Sequence, residues 1–349
     1  MVKKAENIIV GISVGDLNGI GGEIILKTFE DSRMLELCTP VIFANVKMLS
    51  FIKKSFESTS MLHGIDTIGQ LVPGKINVLN VWRDPIDIRP GENDDNAGVY
   101  AIKSFTAATE SLKKGEVDVL VTAPINKYNI QSDEFRFPGH TDYLAQELEG
   151  NALMLMVQDN LRVGLLTDHV PVNEVASHLT EALVRQKIET VRQSLTRDFS
   201  INKPKIAVLG LNPHAGDGGV IGKEDRDILM PVVKKMFENG TLVFGPFPAD
   251  GFFGSGQYEK YDAVIAAYHD QGLIPFKTLA FGKGVNFTAG LNKIRTSPDH
   301  GTAYDIAGKG IADYNSFKEA VYLAIDIFNS RNEYAEISRK PLKIKEKPV

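Results

Sequence analysis

Short apolar runs rich in valine and isoleucine alternate along the chain with longer segments whose apolar residues recur every three to four positions. This alternation predicts βα units and an α/β fold built on a largely parallel sheet. Strands are expected at 8–14, 41–44, 76–81, 117–122, 153–157, 163–167, 206–211 and 263–267. Residues 99–114 space Ala101, Phe105, Ala108 and Leu112 at i, i+4, i+7 and i+11, which predicts a helix with one buried face. Segments 181–197 and 224–238 read the same way, 143–148 is helix-like, and 316–328 predicts a last helix with Ser316 as its N-cap. The tail from 330 to 349, rich in Lys and Glu with two prolines, is expected to be partly disordered.

Composition narrows the class. With 349 residues, 43% hydrophobic and 24% charged, the chain is large enough to bury a core in one large or two smaller domains. A net charge of −5 leaves no sequence-wide basic field for nucleic acid or an anionic membrane. The apolar run at 8–12 follows Lys3 and Lys4 but is ended early by Asp16 and Asn18, so neither a signal peptide nor a membrane span is read. A cytoplasmic protein is expected. The single cysteine, Cys38, allows no internal disulfide or cysteine-type zinc cluster and reads as a small buried hydrophobe.

The chemistry sits where apolar runs end. His169 lies in T-D-H-V-P, His214 in N-P-H-A-G and His269 in Y-H-D-Q-G, each just past a predicted strand. In an open α/β sheet those strand ends line the ligand crevice. Gaps of 45 and 55 residues are too long for a zinc-finger clip, so the fold itself has to bring the three imidazoles together. Three neutral imidazoles at one point make an open divalent-metal site. His63, His178 and His300 have no comparable reason to be ligands. Asp250 and Asp270 are candidates for orienting the ligand imidazoles.

Around this trio stand groups suited to an anion. In F-P-G-H-T-D, His140 and Thr141 precede a helix, where free backbone N–H groups suit a phosphate or carboxylate; a plain helix entry with Thr141 as N-cap is the alternative. Lys277, Asn286 and Arg295 follow His269 and would clamp a small doubly anionic substrate. The glycine-rich stretch 15–23 follows a strand, but its spacing does not match G-x-G-x-x-G, so a Rossmann dinucleotide crevice is not supported.

The segment D-H-G-T-A-Y-D-I-A-G at 299–308 resembles the adenosine-binding loop of the isocitrate and isopropylmalate dehydrogenases, with Tyr304 where their pattern has proline. Together with G-D-x-x-G-I-G-x-E, G-H-T-D, L-N-P-H-A-G-D-G-G, Y-H-D-Q-G-L and I-R-T-S-x-D-H-G-T-A, it makes the chain similar to the 4-hydroxythreonine-4-phosphate dehydrogenase family from Gly11 to about Phe328.

The resemblance implies a two-domain, non-Rossmann fold of the isocitrate/isopropylmalate dehydrogenase type. Residues 1–125 with 290–349 would form one α/β domain carrying the nucleotide loop, and 126–289 a central metal-binding and dimerising domain. It also implies NAD(P)-dependent oxidation and decarboxylation of 4-phosphohydroxy-L-threonine to 3-amino-2-oxopropyl phosphate, a step toward pyridoxal 5'-phosphate. Carried over by position, His169, His214 and His269 match the metal ligands, and His140, Thr141, Lys277, Asn286 and Arg295 the substrate contacts. Lys277 and His140 are the expected catalytic groups; His300, Gly301, Thr302, Ala303 and Asp305 would bind NAD or NADP. Three histidines with substrate oxygens accept Zn²⁺, Co²⁺, Mn²⁺ or Mg²⁺. A homodimer with its site at the subunit interface is implied. Two rivals stand beside this reading: a dehydrogenase of D-threonate or D-erythronate 4-phosphate, and a metal-dependent hydrolase or lyase.

Overall fold

The computed structural model describes residues 7–133 and 135–339. Twelve strands form one sheet: β1 (Ile8–Ser13), β2 (Cys38–Ala44), β3 (Leu62–Ile65), β4 (Ile76–Asn80), β5 (Val119–Thr122), β6 (Gly150–Gln158), β7 (Leu161–Leu165), β8 (Ile206–Leu209), β9 (Val243–Phe247), β10 (Ala263–Ala266), β11 (Val285–Leu291) and β12 (Arg295–Pro298). Their spatial order is β3-β4-β2-β1-β5-β12-β11-β6-β7-β10-β8-β9. Both flanks are parallel, as the sequence predicts. The centre is not: β11 runs antiparallel to both β12 and β6, and β6 antiparallel to β7.

Most of the parallel strands are predominantly apolar because helices cover both faces of the sheet. Every residue of β2 and β5 is buried. On one face Val41, Phe43 and Leu120 meet Phe105, Ala108 and Leu112 of the helix Asp95–Lys114. On the other, Val10, Ile12 and Ile42 pack with Ile24 and Ile25 of the helix Gly21–Thr28. Cys38 is fully buried, and burial pushes its thiol up to about 12.

Four strands lack the expected apolar signature. β3 and β12 carry His63, Arg295, Ser297 and Pro298, and β9 contains Gly245 and Pro246; β11 alternates Asn286 and Thr288 with Val285 and Phe287. The helix expected from 99 begins at Asp95, because Asp94 accepts from Asn96 N and caps it. The helix expected over 224–238 opens as a wide turn, Asp225–Leu229, and becomes regular over Met230–Glu238.

Two expected caps are corrected. Thr141 lies inside the helix His140–Glu147, whose N-cap is Gly139. Ser316 lies inside the helix Asn315–Ser338, and its hydroxyl instead donates to Gly284 O at 2.6 Å and accepts from Asp299 N. That helix runs through 330–338, part of the tail expected to be disordered; residues 340–349 lie outside the described residues. No helix among the described residues is long and apolar enough to cross a membrane.

Candidate active site

A cavity of about 320 Å³ lies over the antiparallel centre of the sheet. Strand alternation builds its floor. Arg295 and Ser297 of β12, Asn286 of β11, Met154 and Met156 of β6, and Thr122 at the end of β5 all face it. Register aligns these groups, with Asn286 opposite both Ser297 and Met156. One wall is the helix His269–Ala280, in which His269, Leu273 and Lys277 recur every four residues and so share a face. His140, Thr141 and Asp142 form the opposite wall at a helix N-terminus, and Lys127, His169, Asp299, His300 and Gly301 complete the rim.

The cavity thus gathers two of the three expected metal ligands, all five expected substrate contacts and the start of the expected nucleotide loop. His169 and His269 stand side by side, ring centroids 6.1 Å apart. Nδ1 of His269 lies 2.7 Å from Asp270 Oδ1, so the carboxylate fixes the ring and leaves Nε2 free to coordinate. Asp250 has no such bond among the described residues and opens the helix Ala249–Gly254. His214 does not line the cavity, and no group of three His, Cys, Asp or Glu gathers at metal-binding distance among the described residues. Among the described residues, one chain therefore brings together two imidazoles, a donor type chemically suited to a divalent metal, and not the third expected ligand.

His214 is exposed on an unusual loop. Residues 214–218 all have positive φ, and three of them, His214, Ala215 and Asp217, are not glycine. An L-residue in that region costs about 1–2 kcal/mol. The loop is held by Asp225, whose fully buried carboxylate accepts from Leu211 N at 2.7 Å and from the backbone and side-chain amides of Asn212.

Arg295 is 2% exposed, and no carboxylate pairs with it among the described residues. It donates instead to Thr122 Oγ1, Thr288 Oγ1 and Nδ1 of His140. Burial pushes its guanidinium down to about 9, so this cation is held at an energetic cost that a bound anion would offset. Because Arg295 only donates, Nδ1 of His140 is the acceptor and Nε2 carries the proton. That Nε2–H is buried and has no partner among the described residues; burial, then the charges of Arg295 and Lys127, holds the imidazole well below its ordinary range and therefore neutral. Phe105 fixes the ring edge-on at 4.5 Å. Asn286 Oδ1 and His300 Nε2 are likewise buried without a partner among the described residues, so three such polar atoms border one cavity. Lys277 donates to Asp299 O at 3.1 Å.

The loop 299–310 packs onto the glycine-rich turn. Ile20 N donates to Thr302 O at 3.0 Å, and a Cβ on Gly19 would stand 2.9 Å from that oxygen, so no other residue fits there. Of the expected nucleotide-binding residues, His300 and Gly301 reach the cavity; Thr302, Ala303 and Asp305 do not line it. Ala303 has φ 46°, and Asp305 O accepts from Lys309 Nζ. Tyr304 anchors the loop from within, donating to the buried Asp16 and accepting from Asn126. Burial, then the Asp16 charge, pushes its phenol up to about 12.

Sequence reading missed Thr122, Lys127, Asp142 and Asp299. The signal for the first two was present: T-A-P-I-N-K at 122–127 directly follows the strand 117–122, the same strand-end position that singled out the histidines.

Comparison with known proteins fits this geometry. The family model for "Pyridoxal phosphate biosynthetic protein PdxA" matches residues 36–324. A 4-hydroxythreonine-4-phosphate dehydrogenase of Bacteroides thetaiotaomicron is 46% identical, covering 97% of this chain and 93% of the relative. A protein of Oceanobacillus iheyensis, provisionally named a D-threonate 4-phosphate dehydrogenase, is 35% identical over 91% of this chain and 97% of its own length. Among solved structures, the 4-hydroxythreonine-4-phosphate dehydrogenase of Klebsiella pneumoniae superposes with a TM-score of 0.79 at 34% identity, covering 94% of this chain and 99% of that one.

Proposed function

This chain belongs to the PdxA family, and from that premise we propose that it oxidises 4-phosphohydroxy-L-threonine with NAD or NADP and releases CO2, giving 3-amino-2-oxopropyl phosphate. The observation that carries the proposal is the cavity itself. It joins three cations, Lys127, Lys277 and Arg295, to two carboxylates, Asp142 and Asp299. A substrate with phosphate, carboxylate and ammonium groups matches that mixture better than an acid without nitrogen.

In this reading the N-terminus of His140–Glu147, with Thr141, Arg295 and the protonated Nε2 of His140, receives an anionic end of the substrate. Its neutral ring lets His140 donate without adding a charge. Lys277, held at the cavity edge by Asp299 O, gives or takes the proton at the reacting carbons, and Asn286 Oδ1 accepts from a substrate donor. His169 and His269 would hold a divalent metal, Zn²⁺, Co²⁺, Mn²⁺ or Mg²⁺, with His214 of a second copy as third donor; this incompleteness supports a homodimer. When bound, the metal polarises the hydroxyl and keto oxygens. His300, Gly301, Thr302, Ala303 and Asp305 would hold the nicotinamide cofactor, which would supply the hydride acceptor. Strands β1 to β5 with β12 would form one domain and β6 to β11 the other, dividing the chain near 125 and 290.

The Oceanobacillus relative supports a second reading, in which the substrate is D-threonate 4-phosphate, with a hydroxyl in place of the amine. Mass detection of 3-amino-2-oxopropyl phosphate after incubation with 4-phosphohydroxy-L-threonine, NAD⁺ and Zn²⁺ tests the first. Absence of that product while D-threonate 4-phosphate is consumed would establish the second.

A further inference from the structure

Lys127 lines the same cavity, but no group of the metal, cofactor or substrate has been assigned to it above. It belongs to the turn after β5, where Asn126 Oδ1 accepts from Tyr128 N at 2.8 Å and so fixes the backbone on either side of it. The Lys127 carbonyl accepts from Gln131 Nε2. The turn is thus built by backbone groups and by Asn126, not by the ammonium. That ammonium makes no ion pair among the described residues. Its stem passes Gly139, where a Cβ would lie 3.9 Å from Lys127 Cε, and its Nζ reaches 3.3 Å from His169 Nε2. Lys127 therefore spans the cavity mouth from the helix N-terminus at His140 to His169.

Charge counting gives this position a use. A phosphate monoester carries close to two negative charges near neutral pH and a carboxylate one more. Lys277 and Arg295 supply two positive charges, and the Lys127 ammonium supplies a third on the same cavity. We propose that Lys127 is a further substrate contact, binding one of the two anionic groups of the substrate as the third cation of the cavity. The inference rests on the activity proposed above. Asn126, tied to Tyr304 at 3.0 Å, presents it, so the loop that carries the expected nucleotide site also sets where this cation stands.

Calorimetric titration of 4-phosphohydroxy-L-threonine, and separately of inorganic phosphate, into the wild-type protein, Lys127→Met and Lys127→Arg tests the inference without requiring turnover. Lys127→Met is expected to weaken the phosphorylated amino acid roughly 10- to 100-fold, with Lys127→Arg recovering part of the loss. A parallel loss of phosphate affinity would assign Lys127 to the phosphate end, and unchanged phosphate affinity to the carboxylate end. Equal affinity of Lys127→Met and wild type for the phosphorylated amino acid would overturn the inference. So would a loss in Lys127→Arg as complete as in Lys127→Met, because the positive charge would then contribute nothing. Wild-type reduction of NAD⁺ in a parallel assay judges the proposed activity separately, since the calorimetric comparison stands whether or not turnover is seen.

Discussion

The phenol of Tyr304 donates a 2.9 Å hydrogen bond to Oδ2 of Asp16, a fully buried carboxylate 288 positions earlier in the chain. The same oxygen accepts from Asn129 Nδ2 at 2.7 Å, and Oδ1 accepts from Asn18 N. No cation pairs with Asp16 among the described residues, so its charge is carried by neutral donors alone. Tyr304 is thus the pin that fastens the loop 299–310 to both the glycine-rich turn and the segment after β5.

Tyr304→Phe keeps the ring and removes the pin. Loss of one hydrogen bond to a buried charge is expected to cost about 1.5–3 kcal/mol of stability. If the loop holds the nicotinamide cofactor, KM for NAD⁺ rises while kcat changes less. Denaturant melts with initial-rate kinetics in varied NAD⁺ check both parts, and an unchanged KM for NAD⁺ would detach this loop from cofactor binding.

Arg295→Met separates stability from function. Removing a buried cation that has no carboxylate partner is expected to leave the melting temperature at or above that of the wild type. Binding of the phosphorylated substrate is expected to fall by about two orders of magnitude, since a charge-assisted pair is lost. Thermal melts and calorimetry on the one variant read both effects.

His140 gives a pH signature. Burial depresses its folded-state ionisation well below 6.5, so below pH 6.5 the unfolded chain binds a proton that the folded chain does not. Its contribution to stability is complete above that value and is lost as pH falls from 6.5 toward the depressed folded value. Equilibrium unfolding of wild type and His140→Gln between pH 7 and 5 is expected to show a steeper acid loss in the wild type; parallel slopes would contradict the assignment.

His214→Gly is expected to raise stability by about 1 kcal/mol, because glycine adopts φ 53° without the L-residue penalty. The same change is expected to weaken Zn²⁺ binding by tenfold or more if His214 is the third ligand. Equilibrium dialysis against Zn²⁺ beside denaturant melts reads both; unaltered zinc affinity would remove His214 from the ligand set.

Much of the fold was legible because helices on both faces make most of the flanking parallel strands predominantly apolar, β3 and β9 excepted. The centre was not legible. β12 and β11 place Arg295, Ser297, Asn286 and Thr288 on the sheet, and residues selected to face a cavity do not look like a strand core. Three cavity-lining residues, Arg295, Asn286 and Lys277, were nonetheless singled out, because they are chemically conspicuous. Lys127 was passed over although it follows a strand end as the histidines do. His214 marks a different limit. Its motif was visible, but five left-handed residues turn it away from the cavity of its own chain, and no spacing rule encodes that.

The activity proposed for this cavity is oxidation of a phosphorylated hydroxy amino acid with a nicotinamide cofactor. The most direct test follows absorbance of reduced nicotinamide with the purified protein, NAD⁺, Zn²⁺ and either 4-phosphohydroxy-L-threonine or D-threonate 4-phosphate, against a chelated control. Metal-dependent reduction with the amino acid, and little or none with the sugar acid, is the predicted result. Reduction with the sugar acid alone would contradict the assigned substrate, and no reduction with either would contradict the reaction class.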